Sequence, residues 1–390
     1  MQWQYRHTVL TLCTLAFFVT MVARLAISPV VPDIVDDFGV SNAILGLALT
    51  LLWLSYSLAQ FPSGVLADRF GERPIILLAI GGTGVATLLI VISPVFGLFL
   101  FSTLLLGCFA GLHYSVATTL LTRTYDDIGT AIGLHNTGSP VAGVLTPVVV
   151  AWIAVRYGWR PAVAVGALIA FPTLVLFFWR VRPTPPRRPS QPMRDRVDLK
   201  SVTDLLSRPP IAFTVFVAVA CEFAWQATAS FLPAFLAGYH GLSTTLAGMA
   251  FGAYFVIQGV VQIVVGNASD RVGRDPTIIG CLVASIAAFS VLVVGSGPVA
   301  VAVGVLLLGI GMSFMSALLP RFLDHLSSEE QGMGFGLVRT VYGVLGSTGS
   351  VGVGLLSDGF GWGIAFGFLA VPTGFALCAL SLNAVLDWGY

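Results

Sequence analysis

Long apolar runs separated by short polar turns dominate the chain. A helix needs about 20 apolar residues to cross about 30 Å of hydrocarbon. Runs of that order lie at approximately 8–31, 43–66, 74–93, 95–121, 130–155 and 161–180, then at 210–236, 244–267, 277–295, 297–319, 331–357 and 362–386. The pattern predicts an all-α integral membrane protein with twelve transmembrane helices, six on either side of a polar gap. Lipid offers no partner to backbone N–H and C=O groups, so each run must be helical. A β-barrel would show alternating segments of about ten residues, and the runs do not alternate. The first run exceeds the apolar core of a signal peptide, about 7–15 residues, and no small-residue cleavage site follows it. It is read as the first span.

The gap begins Val181-Arg182-Pro183-Thr184-Pro185-Pro186-Arg187-Arg188-Pro189 and reads as a linker, because proline cannot continue a helix. Behind it, Leu199, Val202, Leu205 and Leu206 share a helical face among Asp198, Lys200, Ser201 and Asp204. That segment is either a short interfacial helix or more linker. The expected organisation is a bundle over 1–182, a linker over 183–209 and a second bundle over 210–390.

Composition agrees with lipid as the solvent. The chain is 56% hydrophobic and 9% charged, where soluble proteins carry about 25% charged residues. Cys13, Cys108, Cys221, Cys281 and Cys378 all lie in apolar runs without CxxC spacing and read as free thiols. No metal or cofactor is expected. Phosphate-binding loops, HExxH and GxSxG are absent from the sequence, so neither ATP-driven transport nor enzymatic catalysis has a supporting motif. The arginines at 180–208 form a juxtamembrane cluster, not a nucleic-acid patch.

One charged turn occurs twice. Gly64-Val65-Leu66-Ala67-Asp68-Arg69-Phe70-Gly71-Glu72-Arg73-Pro74 returns 202 positions later as Gly266-Asn267-Ala268-Ser269-Asp270-Arg271-Val272-Gly273-Arg274-Asp275-Pro276. Gly39, Ser41, Gly46 and Gly107 repeat at the same spacing, and Gly133, Gly143 and Gly158-Trp159 at 203. The halves are therefore parallel repeats, an arrangement in which carriers place substrate near the bilayer midplane. If both termini are cytoplasmic, fifteen basic residues lie on inner loops and two, Arg156 and Arg160, on outer ones. That bias sets the expected orientation.

With these features the sequence resembles a major facilitator superfamily (MFS) transporter over its whole length. The likeness rests on the paired Gly-x-x-x-Asp-Arg-x-Gly turns after the second and eighth spans, and on Gly158-Trp159-Arg160 at the sixth. It implies the MFS fold, two six-helix bundles that rock about a midplane site. It also implies a cytoplasmic latch at Gly64, Asp68, Arg69, Gly71 and Arg73, repeated at Asp270, Arg271, Gly273 and Arg274. Asp68 could meet a helix N-terminus, and Arg69 and Arg73 could pair with it. The bland alternative is a solvated positive-inside loop.

The first span carries a narrower resemblance. Arg24, Ile27, Ser28, Pro32 and Ile34, followed by Gly39-Val40-Ser41, Gly46, Tyr56, Gln60, Pro62 and Gly64, are similar to the anion:cation symporter group. In that group the matching arginine helps hold a substrate carboxylate. The Asp usual before it is Ala23 here, and the fourth span has His113 and Tyr114 but no carboxylate.

Ionisable groups in lipid need a cavity or a partner. Arg24 is the expected carboxylate ligand, since a guanidinium offers a planar fork; the alternative is snorkelling or pairing with Asp33. Glu222 is the expected proton-coupling residue, and Arg339 lies at a depth from which it can reach Glu222; a static ion pair is the alternative. His113, Tyr114, Trp225 and Gln226 are further candidate substrate contacts, with packing as the competing role. Gly138-Ser139-Pro140-Val141-Ala142-Gly143 partly resembles a drug/proton antiporter motif, yet reads more simply as a helix bend.

The expected function is secondary active transport of a small organic anion by alternating access, coupled to a proton or another ion. The setting is the cell membrane, as a multi-pass monomer in the lipid bilayer. A drug or metabolite exporter of the same superfamily is the nearest alternative, and a non-transporting sensor on a carrier fold a remote one.

Overall fold

A computed structural model describes residues 4–125, 127–187, 199–327, 333–386 and 389, with the side chains of 199–202, 333 and 335 left aside. The described residues form helices and no strand. Six spans precede the linker: α1 Tyr5–Phe38, α2 Asn42–Phe70, α3 Glu72–Val91, α4 Phe96–Thr122, α5 Ile128–Tyr157 and α6 Trp159–Arg180. After it come α7 Pro209–His240, α8 Thr244–Val272, α9 Arg274–Val294, α10 Gly297–Asp324 and α12 Trp362–Leu386. These eleven are each long and apolar enough to cross a bilayer. Between α10 and α12 runs α11, built of Met333–Gly346 and Thr348–Phe360 and interrupted at Ser347. A short helix also covers Leu199–Leu206.

The chain divides into two compact units. The first comprises Met1–Ile34 and Leu51–Asp198, the second Val35–Thr50 and Leu199–Tyr390. In the first unit, α1 packs on α3, α4, α5 and α6. Val19, Ile76, Ala79, Val116 and Phe177 are among its fully buried apolar residues. Close approach needs missing side chains at two points: a Cβ on Gly107 or Gly111 would strike the α2 carbonyls of Leu52 and Tyr56. Three spans of this unit are not continuous. α1 passes through a 3-10 turn at Ser28–Val30, where Pro29 and Pro32 remove backbone donors. α4 breaks at Leu112 and α5 at Thr137.

In the second unit, α7 packs on α8, α11 and α12, and α9 on α10. The start of α2 belongs to this unit. Thr50 Oγ1 donates to Ser347 O at 3.0 Å, and Val351 N donates back to it at 3.0 Å. The carboxylate of Asp358 on α11 accepts from Asn42 N at 3.1 Å and Ala43 N at 2.8 Å. A carboxylate on free N–H groups of a first helical turn is a capping interaction. Asp358→Ala should therefore cost about 1 kcal/mol, read as a lowered unfolding midpoint in detergent, while Asp358→Asn should lose less.

Candidate functional site

The charged turns come first, because the backbone dictates them. α2 ends at Phe70 and α3 starts at Glu72; the single residue between, Gly71, has φ +88°. Only glycine adopts that conformation readily. A Cβ there would also strike the carbonyl of Thr184 in the linker. Thr184 Oγ1 accepts from Arg73 N at 3.1 Å. Arg73 Nη2 donates to Phe178 O at 2.6 Å, its guanidinium 4.8 Å from the Phe178 ring. Arg69 is exposed and lies over Phe70; Asp68 and Gly64 are half-buried.

Glu72, 1% exposed, pairs with Arg123 at 3.0 Å. Arg123 also donates to Pro185 O at 3.0 Å. The start of the linker is thus bound to the first unit through α3 and α4.

The second turn repeats this plan with signs reversed. Gly273 has φ +107°. Arg274 takes the place of Glu72 and pairs with Asp324 at 3.0 Å and with Asp270 at 2.5 Å. Arg271 is exposed. Deeper lies Arg321, 3% exposed. Its Nε meets Asp275 Oδ1 at 2.6 Å and its Nη2 meets Oδ2 at 3.2 Å. Thr214 Oγ1 accepts from Arg321, and Asn383 donates to Asp275 at 3.3 Å. Burial first, and the Arg321 charge second, hold His325 below the ordinary imidazole range. It is neutral at pH 7, which keeps a further positive charge away from Arg321.

Arg24 occupies the last turn of the regular part of α1, where unsatisfied carbonyls favour a cation. It is 4% exposed. Nε donates to Thr20 O at 3.1 Å and Nη2 to Met21 Sδ at 2.8 Å. The guanidinium carbon sits 3.9 Å from the Tyr56 ring centroid and 5.2 Å from that of Trp53, both on α2. Both rings lie within cation–π distance of the guanidinium. Ala23 is fully buried against Gly166 of α6.

The repeat sharpens this picture. At the 202-residue spacing, Arg24, Trp53 and Tyr56 correspond to Gln226, Phe255 and Gln258. Only the first copy carries a charge. In the sequence Tyr56 reads only as part of the symporter-like pattern; the structure sets it beside Arg24.

In the second unit Gln226, 1% exposed, donates to Glu222 Oε1 at 2.9 Å and to Gly343 O at 3.3 Å. A Cβ on Gly346 would meet the Glu222 side chain at 2.8 Å. Arg339 stands one turn before Gly343 on α11, near enough for its charge to act on Glu222. Glu222, Gln226 and Arg339 therefore share the α7–α11 seam. Trp225 is half-buried.

His113 is fully buried at the α4 break. Around it are Phe17, Tyr114 and His135, the last on α5 and not singled out by sequence reasoning. Among the described residues no group of three or more His, Cys, Asp or Glu side chains could hold a metal.

Comparison with known proteins agrees with this architecture. The chain is 30% identical over 182 residues to the membrane sensor protein UhpC of Escherichia coli, covering 46% of this chain and 41% of UhpC. It matches less than half of that relative. The multidrug resistance protein MdtG of Citrobacter koseri is 26% identical over 292 residues, covering 71% of this chain and 70% of MdtG. The probable sulfoacetate transporter SauU of Cupriavidus necator is 28% identical over 182 residues, covering 46% of this chain and 42% of SauU. The solved structure of the xylose transporter XylE from E. coli aligns with a TM-score of 0.77 at 16% identity, covering 96% of this chain and 98% of XylE. At that identity it speaks for the fold. The Major Facilitator Superfamily model matches residues 13–233 and 214–387. Long apolar helices in two units, a duplicated charged turn and this family match have one reading: the chain is a multi-pass membrane protein that belongs to the major facilitator superfamily of transporters.

Proposed function

We propose that the protein is a secondary active transporter for small organic anions, working by alternating access with proton coupling. The observation that carries this reading is Arg24, buried within a span and clasped by Trp53 and Tyr56. A guanidinium in an apolar span attracts an anion, and its planar fork suits a carboxylate or a sulfonate. The likeness to SauU supports the anion class. His113, Tyr114, Trp225, Gln226 and Arg339 are the further contacts proposed for cargo. Both termini lie in the cytoplasm of a cell whose inner or plasma membrane holds the protein, as the loop arginines indicate. The paired charged turns act as conformational latches.

Glu222 is the proposed proton carrier. Its hydrogen bond from Gln226 and the nearby Arg339 charge let proton release and anion arrival influence each other. In proteoliposomes, Glu222→Gln should abolish accumulation driven by a pH gradient and leave anion exchange intact. Unaltered pH dependence in that variant would remove Glu222 from coupling.

A drug exporter is the second reading, favoured by the match to MdtG over most of both chains. It predicts drug resistance in cells with little carboxylate uptake. The match to UhpC keeps a sensor role testable, since a sensor binds without flux into sealed vesicles.

A further inference from the structure

The interruption of α11 at Ser347 has a cause in another helix. In a regular α-helix Val351 N would donate to Ser347 O, four residues back. Here Val351 N donates to Thr50 Oγ1 at 3.0 Å, and the same hydroxyl donates to Ser347 O at 3.0 Å. A hydroxyl carries one proton to give and lone pairs to accept with, so Thr50 completes both bonds at once. Ser350 N reaches Ser347 O at 3.4 Å, the tighter three-residue spacing. A side chain inserted into the backbone ladder is a recognised cause of a helix break.

The seat for Thr50 is built by close contact. A Cβ on Gly46 of α2 would stand 2.7 Å from Ser350 O, and a Cβ on Gly354 of α11 would stand 2.4 Å from Asn42 O. Asp358 then caps the start of α2. Thr50 is 7% exposed, and Val35–Thr50 belongs to the same compact unit as α11.

The repeat supplies an internal control. At a spacing of 202, Thr50 corresponds to Gly252; at 203, Ser347 corresponds to Val144 and Gly346 to Gly143. Val144 lies in the uninterrupted helix Gly138–Tyr157, which even contains Pro147. The break at Ser347 therefore does not come with the duplicated pattern or with its glycine. It occurs in the half where a hydroxyl enters the ladder.

The break adjoins the seam that holds Glu222. Gly343 O accepts from Ser347 N at 3.0 Å and from Gln226 Nε2 at 3.3 Å. Gly346, beside the break, packs on Glu222. Both states of the ladder satisfy their polar groups. If Thr50 withdraws, Val351 N can bond Ser347 O directly, and the free hydroxyl can bond the carbonyl four residues back in its own helix. The exchange is close to balanced, because the net worth of one hydrogen bond is small.

We propose that Thr50 is a positioning residue: docked, its hydroxyl splits α11 at Ser347; withdrawn, it lets α11 run unbroken past Glu222. The seating of the α2 start and the continuity of α11 are then one two-state element. Its part in transport rests on the reading above; the wedge itself does not.

The test measures the ladder directly. The full chain, labelled with 13C-carbonyl serine and 15N-valine, is held in lipid bilayers, and magic-angle-spinning NMR reads the separation of Ser347 C and Val351 N. Wild type should show a separation longer than a direct backbone hydrogen bond, with N···O about 2.9 Å, permits. Thr50→Val, close in shape but without the hydroxyl, should shorten it to the helical value, and Thr50→Ser should keep it long. Asp358→Ala, which retains the hydroxyl but loosens the α2 start, should populate the short form. A short separation in wild type, a long one in Thr50→Val, a short one in Thr50→Ser, or an Asp358→Ala spectrum identical to wild type would each overturn the proposal. In proteoliposomes Thr50→Val should lower the maximal rate of carboxylate uptake about 3- to 30-fold with KM little changed, and Thr50→Ser should restore it. A raised KM at an unchanged rate would make Thr50 a cargo contact and overturn its positioning role. Absence of carboxylate uptake by wild type would instead sink the anion reading and leave the NMR outcomes as they stand.

Discussion

Replacing Arg24 with alanine should reduce carboxylate uptake about 30- to 1,000-fold, equivalent to about 2–4 kcal/mol of lost binding at a desolvated charge. The expectation follows from geometry. Arg24 is 4% exposed, and its contacts include a backbone carbonyl, a thioether and two aromatic faces. These hold the fork in a fixed orientation. Lysine should not restore uptake, because an ammonium lacks the planar fork and the stacking. Tyr56→Phe should keep most activity, since it preserves the ring under Arg24, whereas Tyr56→Ala should approach the loss seen for Arg24→Ala. Initial rates in proteoliposomes, normalised to folded protein, separate these outcomes.

The largest stability effect should come from Asp275→Ala, at about 3–5 kcal/mol. Arg321 is nearly enclosed, and Asp275 engages it through both carboxylate oxygens. Deleting the carboxylate leaves a buried guanidinium without that counter-charge and removes one acceptor from Asn383. The cost arises from stranding the charge rather than from the pair being intrinsically stabilising. Asp275→Ala combined with Arg321→Met should therefore recover much of the loss. Thermal unfolding in detergent compares the two variants.

The spans were readable because bilayer thickness fixes helix length: the run at 74–93 became α3, Glu72–Val91, and the run at 161–180 became α6, Trp159–Arg180. The duplicated turn was readable because Gly71 and Gly273 occupy positive-φ positions that few residues other than glycine adopt. Partners across distant loops were not. Glu72 with Arg123, and Arg274 with Asp324, are separated by about 50 residues, and nothing local links them. Their sign reversal between the halves was present in the sequence, but it acquires meaning only when the repeats are aligned on structure.

His135 shows a different limit. A histidine inside an apolar run looks the same whether it packs against a neighbour or faces a second imidazole. Only the meeting of α4 and α5 around Phe17 distinguishes the two. Likewise, the docking of Asp358 on the first turn of α2 joins residues 316 positions apart.

The most direct test of the account is uptake of radiolabelled carboxylates such as glucuronate and gluconate by the reconstituted full chain under an inward proton gradient. The account predicts accumulation above equilibrium that a protonophore collapses and Arg24→Ala abolishes. Absence of carboxylate accumulation by folded protein, or wild-type accumulation by Arg24→Ala, would contradict it.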